Sequence, residues 1–534
     1  MVQFIGVDVG SASVRAGVIN EHGSLLFHTV EPITIFNPDL GIYEQKSEEI
    51  WDAVCKCVRN CLKDFDVMEI KGIGFDATCS LVLLDKNFRP FPLVHNPECN
   101  VIMWMDHRAT AETELINSNA HESVLKYVGG KVFLEFQIPK LLWLKRNLEK
   151  KCYNNIGYVF DLVDYLVYRA SGSIISSVCS AVSKFNFRPD TFIRDGNGWD
   201  NEFFKQIDIA DMIQDGKISN TIANIGDRAG FVCDAFSTST GLLISTVVAV
   251  SAIDAHTGAL CCFGCNVANL CETMVIIAGT SSCHMTLSRE PIFIPKMWGP
   301  QFSSILPEYW SMESGQSAVG SLIDHVLHNH PEFDRLKLLA NTANVSIYDF
   351  LFLHLQKLSE SNSVDELTKD IHVYPDFHGN RTPLGRDDMS GMISGLRLQS
   401  NLDNLAFLYL ATIQALALSL RQILDVRNKH QQSPINRIVM CGGISQNNLF
   451  VQCHSNALQI PILIPQNCEA MLSGSSMLAA CAAGYYKDLV TACQRMSPKT
   501  LSVSPDYTLA PFYEKKFHCF QIMQKAQLDI LNIN

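Results

Sequence analysis

Two glycine- and hydroxyl-rich turns, one in each half of the chain and each closing a short apolar strand, constrain this sequence more than any other feature. The first is Asp8-Val9-Gly10-Ser11-Ala12-Ser13-Val14-Arg15, after the alternating run 4–9. The second is Ala278-Gly279-Thr280-Ser281-Ser282, after the apolar run 274–278. Small residues let consecutive backbone N–H groups converge on an anion, as in a backbone nest. Either turn alone is ordinary hairpin chemistry. Together they imply a duplicated architecture with a phosphate loop from each half. Length agrees: 534 residues exceed one core at about 100–200 residues per domain.

The opening is predicted to be an antiparallel meander, 4–9, 14–19 and 25–30. A helix follows over 47–65, with Ser47 as N-cap and Ile50, Val54, Val58, Leu62 and Phe65 on one face, and then a strand over 70–75. Three strands, a helix and a strand make a mixed α/β unit, not a Rossmann repeat. In the second half, a long helix over 404–425 precedes a strand over 438–440 that breaks at Gly442-Gly443. A helix over 447–458, a strand over 462–464 and a small-residue helix over 469–485 complete the pattern. A linker at 253–258 divides the chain into domains 1–256 and 257–534, the latter ending in a helical tail.

Composition removes several function classes. A hydrophobic share of 47% with 18% charged residues is that of a globular chain. The net charge of −12, without a like-charge run, argues against a nucleic-acid partner, because proteins that track phosphates are usually basic. No basic segment followed by an apolar one opens the chain. The most membrane-like stretch, 405–420, carries Thr412, Gln414 and Ser419 and falls short of about 20 apolar residues, so a buried helix is expected and no membrane. The 19 irregularly spaced cysteines fit reduced thiols in a cytoplasmic protein. A metal site on Cys261, Cys262, Cys265 and Cys271 is the alternative, but no second CxxC stands at zinc-ribbon spacing.

The chemistry-bearing residues fall into four groups. In the first turn, Asp8 can hold Mg²⁺ through waters and Arg15 can neutralise phosphate. The second turn repeats the anion-binding pattern. Cys441-Gly442-Gly443-Ile444-Ser445-Gln446-Asn447 offers two glycines that let a flat ring approach the backbone, or an ordinary helix entry. Asp254, between an apolar strand and small residues, is either a base for an attacking hydroxyl or the cap of the next helix. No GxxxxGK[ST] is present, which excludes a P-loop enzyme, and no GxGxxG follows a strand, which argues against a Rossmann dehydrogenase.

Taken together, these residues resemble the FGGY carbohydrate kinases over nearly the whole chain. Asp8-Val9-Gly10 with Arg15 resembles the family's first phosphate loop, with Ser11 where Thr is usual. Gly279-Thr280-Ser281-Ser282 resembles its second loop, and Gly442-Gly443 with Asn447 its adenosine loop. Pro139-Lys140-Leu141-Leu142-Trp143-Leu144 and the segment from Gly391 to Gln414 resemble its two signatures. The resemblance implies an α/β fold of two actin-like (ribonuclease H-like) domains with an interdomain cleft, the first binding sugar and the second ATP. It implies ATP and Mg²⁺ as cofactors, with Asp8 toward the metal. Gly10, Ser11, Ser13, Arg15, Gly279, Thr280, Ser281, Gly442, Gly443 and Asn447 would face the nucleotide.

By the same resemblance Asp254 is the catalytic base, Lys184 and Glu313 bond sugar hydroxyls, and Asp76, Ala77, Thr78 and Asp106 belong to the sugar site. Alternatives stand beside these. Lys184 can be a snorkelling lysine, Asp106-His107-Arg108 a loop ion-pair set, Trp143 a core residue, and His256 a residue that orients its loop. Gly74-Phe75-Asp76-Ala77-Thr78-Cys79-Ser80, Trp104-Met105-Asp106-His107-Arg108 and Asp376-Phe377-His378-Gly379-Asn380-Arg381 resemble the D-ribulokinase branch of the family. The expected reaction is therefore D-ribulose to D-ribulose 5-phosphate. Kinases for L-ribulose, ribitol or xylulose, and a non-catalytic actin-fold sugar or nucleotide sensor, are the rivals.

Overall fold

This computed structural model describes residues 1–360, 363–430 and 433–533, and it divides into two compact units. The first comprises Met1–Leu270, Leu287–Met312 and Gln466–Lys499. The second comprises Cys271–Thr286, Glu313–Pro465 and Thr500–Asn534. Neither is a contiguous half of the chain. The expected division at 256/257 leaves 466–499 with the C-terminal half, whereas the structure packs that segment into the first unit.

The meander is present as β1 (Gln3–Val9), β2 (Ser13–Asn20) and β3 (Leu25–Pro32), followed by α1 (Ser47–Cys61) and β4 (Ile70–Ala77). Later strands β5 (Arg228–Phe231), β6 (Val247–Ala249) and β7 (Ala252–Ile253) complete a seven-stranded sheet. Its order is β5-β6-β4-β1-β2-β3, with β7 also paired to β4. The apolar face of α1 is buried against this sheet through Ile50, Val54 and Val58. Ser47 is not the N-cap; Lys46 holds that position. The Ser47 N–H donates to Asn100 Oδ1 at 3.0 Å, and Asn100 Nδ2 donates back to Ser47 Oγ at 2.9 Å, so a residue 53 positions away does the capping. The predicted linker at 253–258 is the start of a helix.

That helix and an earlier one carry chemistry: α2 (Val178–Lys184) and α3 (Asp254–Gly264). In the second unit, β8 (Thr273–Ala278), β9 (Ser282–Ser288), β10 (Trp310–Gln316), β11 (Arg437–Cys441), β12 (Ile462–Pro465) and β13 (Thr500–Val503) follow the order β10-β9-β8-β11-β12-β13. Helix α4 (Gly320–His328) follows β10, and α5 (Leu402–Lys429) and α6 (Asn448–Leu458) pack in the same core. The apolar window of α5 is long enough to cross a membrane but is 83% buried within the protein, as expected for a core helix.

The small-residue helix α7 (Ala470–Ala482) returns the chain to the first unit. It lies so close to the sheet that a Cβ on Gly6 would overlap the Leu472 carbonyl oxygen, and one on Gly74 the Ser475 carbonyl oxygen. A Cβ on Gly72 would stand 2.8 Å from the Ala479 oxygen. The other side of α7 meets α3, where a Cβ on Gly474 would overlap the Thr257 carbonyl oxygen. The final helix α8 (Ala510–Leu531) is the predicted tail, anchored in the second unit by Tyr513 Oη donating to Asp365 and Lys516 Nζ donating to Thr368 O at 2.8 Å.

Gly74→Ala is expected to destabilise the protein by roughly 1–3 kcal/mol, because the clash is with helix backbone and no rotamer relieves it. Gly443→Ala, where nothing lies within 4 Å, is expected to leave the melting temperature unchanged. Thermal melts of the two variants check this; equal Tm values would refute the packing argument.

Candidate functional site

Three carboxylates gather in the first unit at the ends of adjacent strands. The parallel β1/β4 register places Asp8 opposite Asp76, and β7/β4 places Ala252 opposite Asp76 and Ile253 opposite Ala77. Asp254 is the next residue and opens α3. Asp8 and Asp76 are buried. Burial first, and then the charges of Asp8 and Asp254, push the Asp76 pKa well up, while a hydrogen bond from Ser475 Oγ opposes the shift. Asp254 is the first helical residue, with Ile253 at the N-cap, and its Oδ1 accepts from the Ala255 N–H at 2.7 Å. It is therefore not the capping residue.

Arg15 is engaged twice, with Asp8 and with Glu469 Oε2 at 3.2 Å, yet its side chain keeps 34% exposure. In both turns the glycine N–H is consumed internally: Gly10 donates to Ser13 O at 3.0 Å and Gly279 to Ser281 O at 2.8 Å. The two glycine N–H groups are thus already bonded within their turns. Ser11 Oγ accepts from Trp104 Nε1 at 3.0 Å, which leaves its O–H to donate elsewhere.

The Trp104 loop is braced by Asp106. That buried carboxylate accepts from the Tyr43 N–H at 2.7 Å and from Arg108 Nε and Nη2 at 2.8 Å each, and Arg108 also reaches Glu44 at 2.8 Å. Asp106 is engaged on both oxygens, as in the loop ion-pair reading. Trp143 lies 5.2 Å from the Arg108 guanidinium, over its ring face. Thr78 ties the end of β4 to β1 through its N–H to Val9 O at 3.0 Å, with Ala77 fully buried beside it.

Lys184 ends α2 and is 6% exposed, with Nζ 5.3 Å from the Phe136 ring centroid and 5.5 Å from that of Trp298. It is a buried cation over two aromatic faces, not a snorkelling lysine. His256 lies in the first turn of α3, its Nδ1 3.0 Å from Cys179 Sγ. Burial and the charge of Lys184 push its pKa down to about 3. The shift favours the neutral imidazole.

In the second unit, β8 opens into Gly279-Thr280-Ser281. The start of α4 grips this turn: Val319 N–H donates to Thr280 O at 2.8 Å and Gly320 N–H to Gly279 O at 3.0 Å. Because C=O and N–H of a trans peptide point opposite ways, the Thr280 and Ser281 N–H groups are directed away from α4, as an anion site requires. Gly442 (φ +95°) is glycine because a Cβ would overlap the Ala278 carbonyl oxygen; Gly443 alone of the pair is open to a planar ring. The Asn447 side chain is spent within the fold, accepting from the Phe450 N–H at 3.1 Å and donating to Tyr409 Oη at 2.7 Å. Glu313 sits on β10, 8% exposed.

A divalent cation fits the first-unit carboxylates. Asp76 Oδ1 is buried without a hydrogen-bond partner, and apposed carboxylates are relieved by a cation. Among the described residues no three His, Cys, Asp or Glu side chains converge on one ion. The ion would therefore keep part of its water shell, as Mg²⁺ does. Among the described residues the cysteine clusters form no such group either. Sequence reasoning missed Glu469, Ser475, Phe136 and Trp298; only the small-residue run after Glu469 hinted at the first two.

Two α/β units, each with a glycine-containing turn after its first strand, have the actin-like ATPase fold. A xylulose kinase from Rhodospirillum rubrum superposes with a TM-score of 0.80 at 19% identity, covering 99% of this chain and 100% of that one. Residues 3–261 match the N-terminal domain of the FGGY family of carbohydrate kinases and residues 274–483 the C-terminal domain, and the chain belongs to that family. It is 41% identical to a human FGGY carbohydrate kinase domain-containing protein over 99% of this chain and 98% of that one. It is 35% identical to a D-ribulokinase of Saccharomyces cerevisiae over 90% of this chain and 72% of that one. FGGY sugar kinases use ATP, generally with Mg²⁺.

Asp8→Asn is expected to lower turnover with MgATP on the order of 10²-fold, with the protein still folded because the isosteric amide keeps the packing. Steady-state kinetics beside a circular-dichroism melt check this. Wild-type kcat would remove Asp8 from the mechanism.

Proposed function

We propose that this protein transfers the γ-phosphoryl group of ATP to a primary hydroxyl of D-ribulose, giving D-ribulose 5-phosphate and ADP. Its identity with the yeast D-ribulokinase supports the substrate. The observation that carries the reaction type is Asp254, placed at a helix N-terminus directly after the strand that pairs with Asp76 and Ala77. Asp254 takes the hydroxyl proton as that oxygen bonds to the γ-phosphorus and the bond to the ADP oxygen breaks. Lys184 and Glu313 bond other hydroxyls of the acceptor. Arg15, the Ser11 and Ser13 hydroxyls, and the Thr280 and Ser281 N–H groups hold phosphate oxygens, while Gly443 lets the adenine approach. Asp8, with Asp76, would hold Mg²⁺, whose contribution when bound is to neutralise phosphate charge. Nineteen irregularly spaced cysteines favour a reducing, cytoplasmic setting.

The test is ADP release measured with the purified protein against D-ribulose, L-ribulose, D-xylulose, ribitol and glycerol. The kcat/KM for D-ribulose is expected to exceed the others by roughly tenfold or more. A different preferred acceptor would overturn the substrate, and no turnover with any of them would favour the sensor.

A further inference from the structure

The segment Asp376-Phe377-His378-Gly379-Asn380-Arg381-Thr382 has no part in the chemistry above, yet it is tightly built. Asn380 Nδ2 donates to Asp376 Oδ2 at 2.8 Å, and Asn380 Oδ1 accepts from the Leu384 N–H at 2.8 Å. Asn380 and Arg386 exchange two backbone hydrogen bonds, at 2.8 and 2.9 Å. The Phe377 ring lies where a Cβ on Gly391 would have to be. Burial pushes the Asp376 pKa up to about 6, which fits a carboxylate enclosed by this loop rather than one facing water.

All of this rigidity delivers one hydroxyl to one place. Thr382 Oγ1 accepts from the Gly315 N–H at 3.0 Å and donates to the Gly315 carbonyl at 2.8 Å. A single side chain thus satisfies both backbone groups of a strand residue, a task that normally falls to a neighbouring strand. Gly315 has no slack on its other sides. A Cβ there would overlap the carbonyl oxygen of Ser282 and stand 3.1 Å from Arg381 Nη1. The next residue, Gln316, accepts from Ser282 Oγ at 3.1 Å and donates to Leu416 O at 2.9 Å. Glu313 lies two residues before Gly315 and so on the same face of β10.

We infer that Thr382 is a positioning residue: by clamping Gly315 it sets where Glu313 stands for an acceptor hydroxyl. The inference rests on the acceptor role proposed for Glu313. A hydroxyl contact worth a factor of ten survives only small displacements, so loosening the strand weakens sugar binding before it affects ATP.

Thr382→Val keeps shape and loses the hydroxyl; Thr382→Ser keeps the hydroxyl. With the preferred sugar of the panel, Thr382→Val is expected to raise the sugar KM roughly tenfold and leave the ATP KM within about twofold, and Thr382→Ser to restore the sugar KM. A lowered melting temperature with both KM values unchanged would show a merely structural residue and overturn the inference, as would an equal rise in both. If Thr382→Val is not recovered folded, Thr382→Cys, with its weaker hydrogen-bonding thiol, takes its place; an intermediate sugar KM is expected and a wild-type one overturns the inference. Glu313→Gln is measured alongside. A raised sugar KM there with none in the Thr382 variant defeats the clamp alone, whereas no rise in either defeats the acceptor role itself.

Discussion

Everything in the first unit depends on how closely α7 approaches the sheet. Side chains at Gly6, Gly72 and Gly74 would hold the helix away; without them its backbone rests against β1 and β4. The same helix presses on α3 at Thr257 through Gly474. One element therefore touches both strands that carry Asp8 and Asp76 and the helix that begins with Asp254. It also supplies Ser475 to the Asp76 carboxylate. The relative placement of the three carboxylates follows from small-residue packing.

That placement carries an electrostatic burden. Three acidic groups come together where two are buried, and the strain is visible in the raised pKa of Asp76. Arg15 relieves part of it at Asp8, and Glu469 in turn steadies Arg15. The remaining negative field suits a cation, and the second unit's turn offers the opposite polarity through N–H groups that α4 directs outward. In both turns the glycine closes the turn internally, so the duplication extends to the way each turn is held shut.

Much of this was visible in the sequence, and the parts that were not share one cause. Strand-and-turn patterning located both turns, and the isolated carboxylate at 254 stood out between an apolar strand and small residues. Those same small residues misled at 253–258. Ala255, Thr257 and Gly258 look like a linker, but they lie in the first turns of a helix, where Thr257 meets Gly474 of α7. Small-residue content marked the helix expected over 469–485 but could not say which sheet would receive it; the alternating glycines at 72 and 74 were the signal. Asn100 capping α1, Glu469 meeting Arg15 and Thr382 clamping Gly315 join residues 53, 454 and 67 positions apart, and local spacing carries no trace of such pairs. Asp106 and Asn447 show the converse, since motif position marked them while the fold engages their side chains internally.

The account stands or falls on Asp254 as the proton acceptor. Asp254→Asn keeps the shape and removes the basic oxygen, and a single-turnover measurement with D-ribulose and ATP isolates the chemical step from product release. Binding of both substrates is expected to stay near wild type while phosphoryl transfer falls by about 10²–10⁴-fold. Transfer by the Asn variant at close to the wild-type rate would contradict the account.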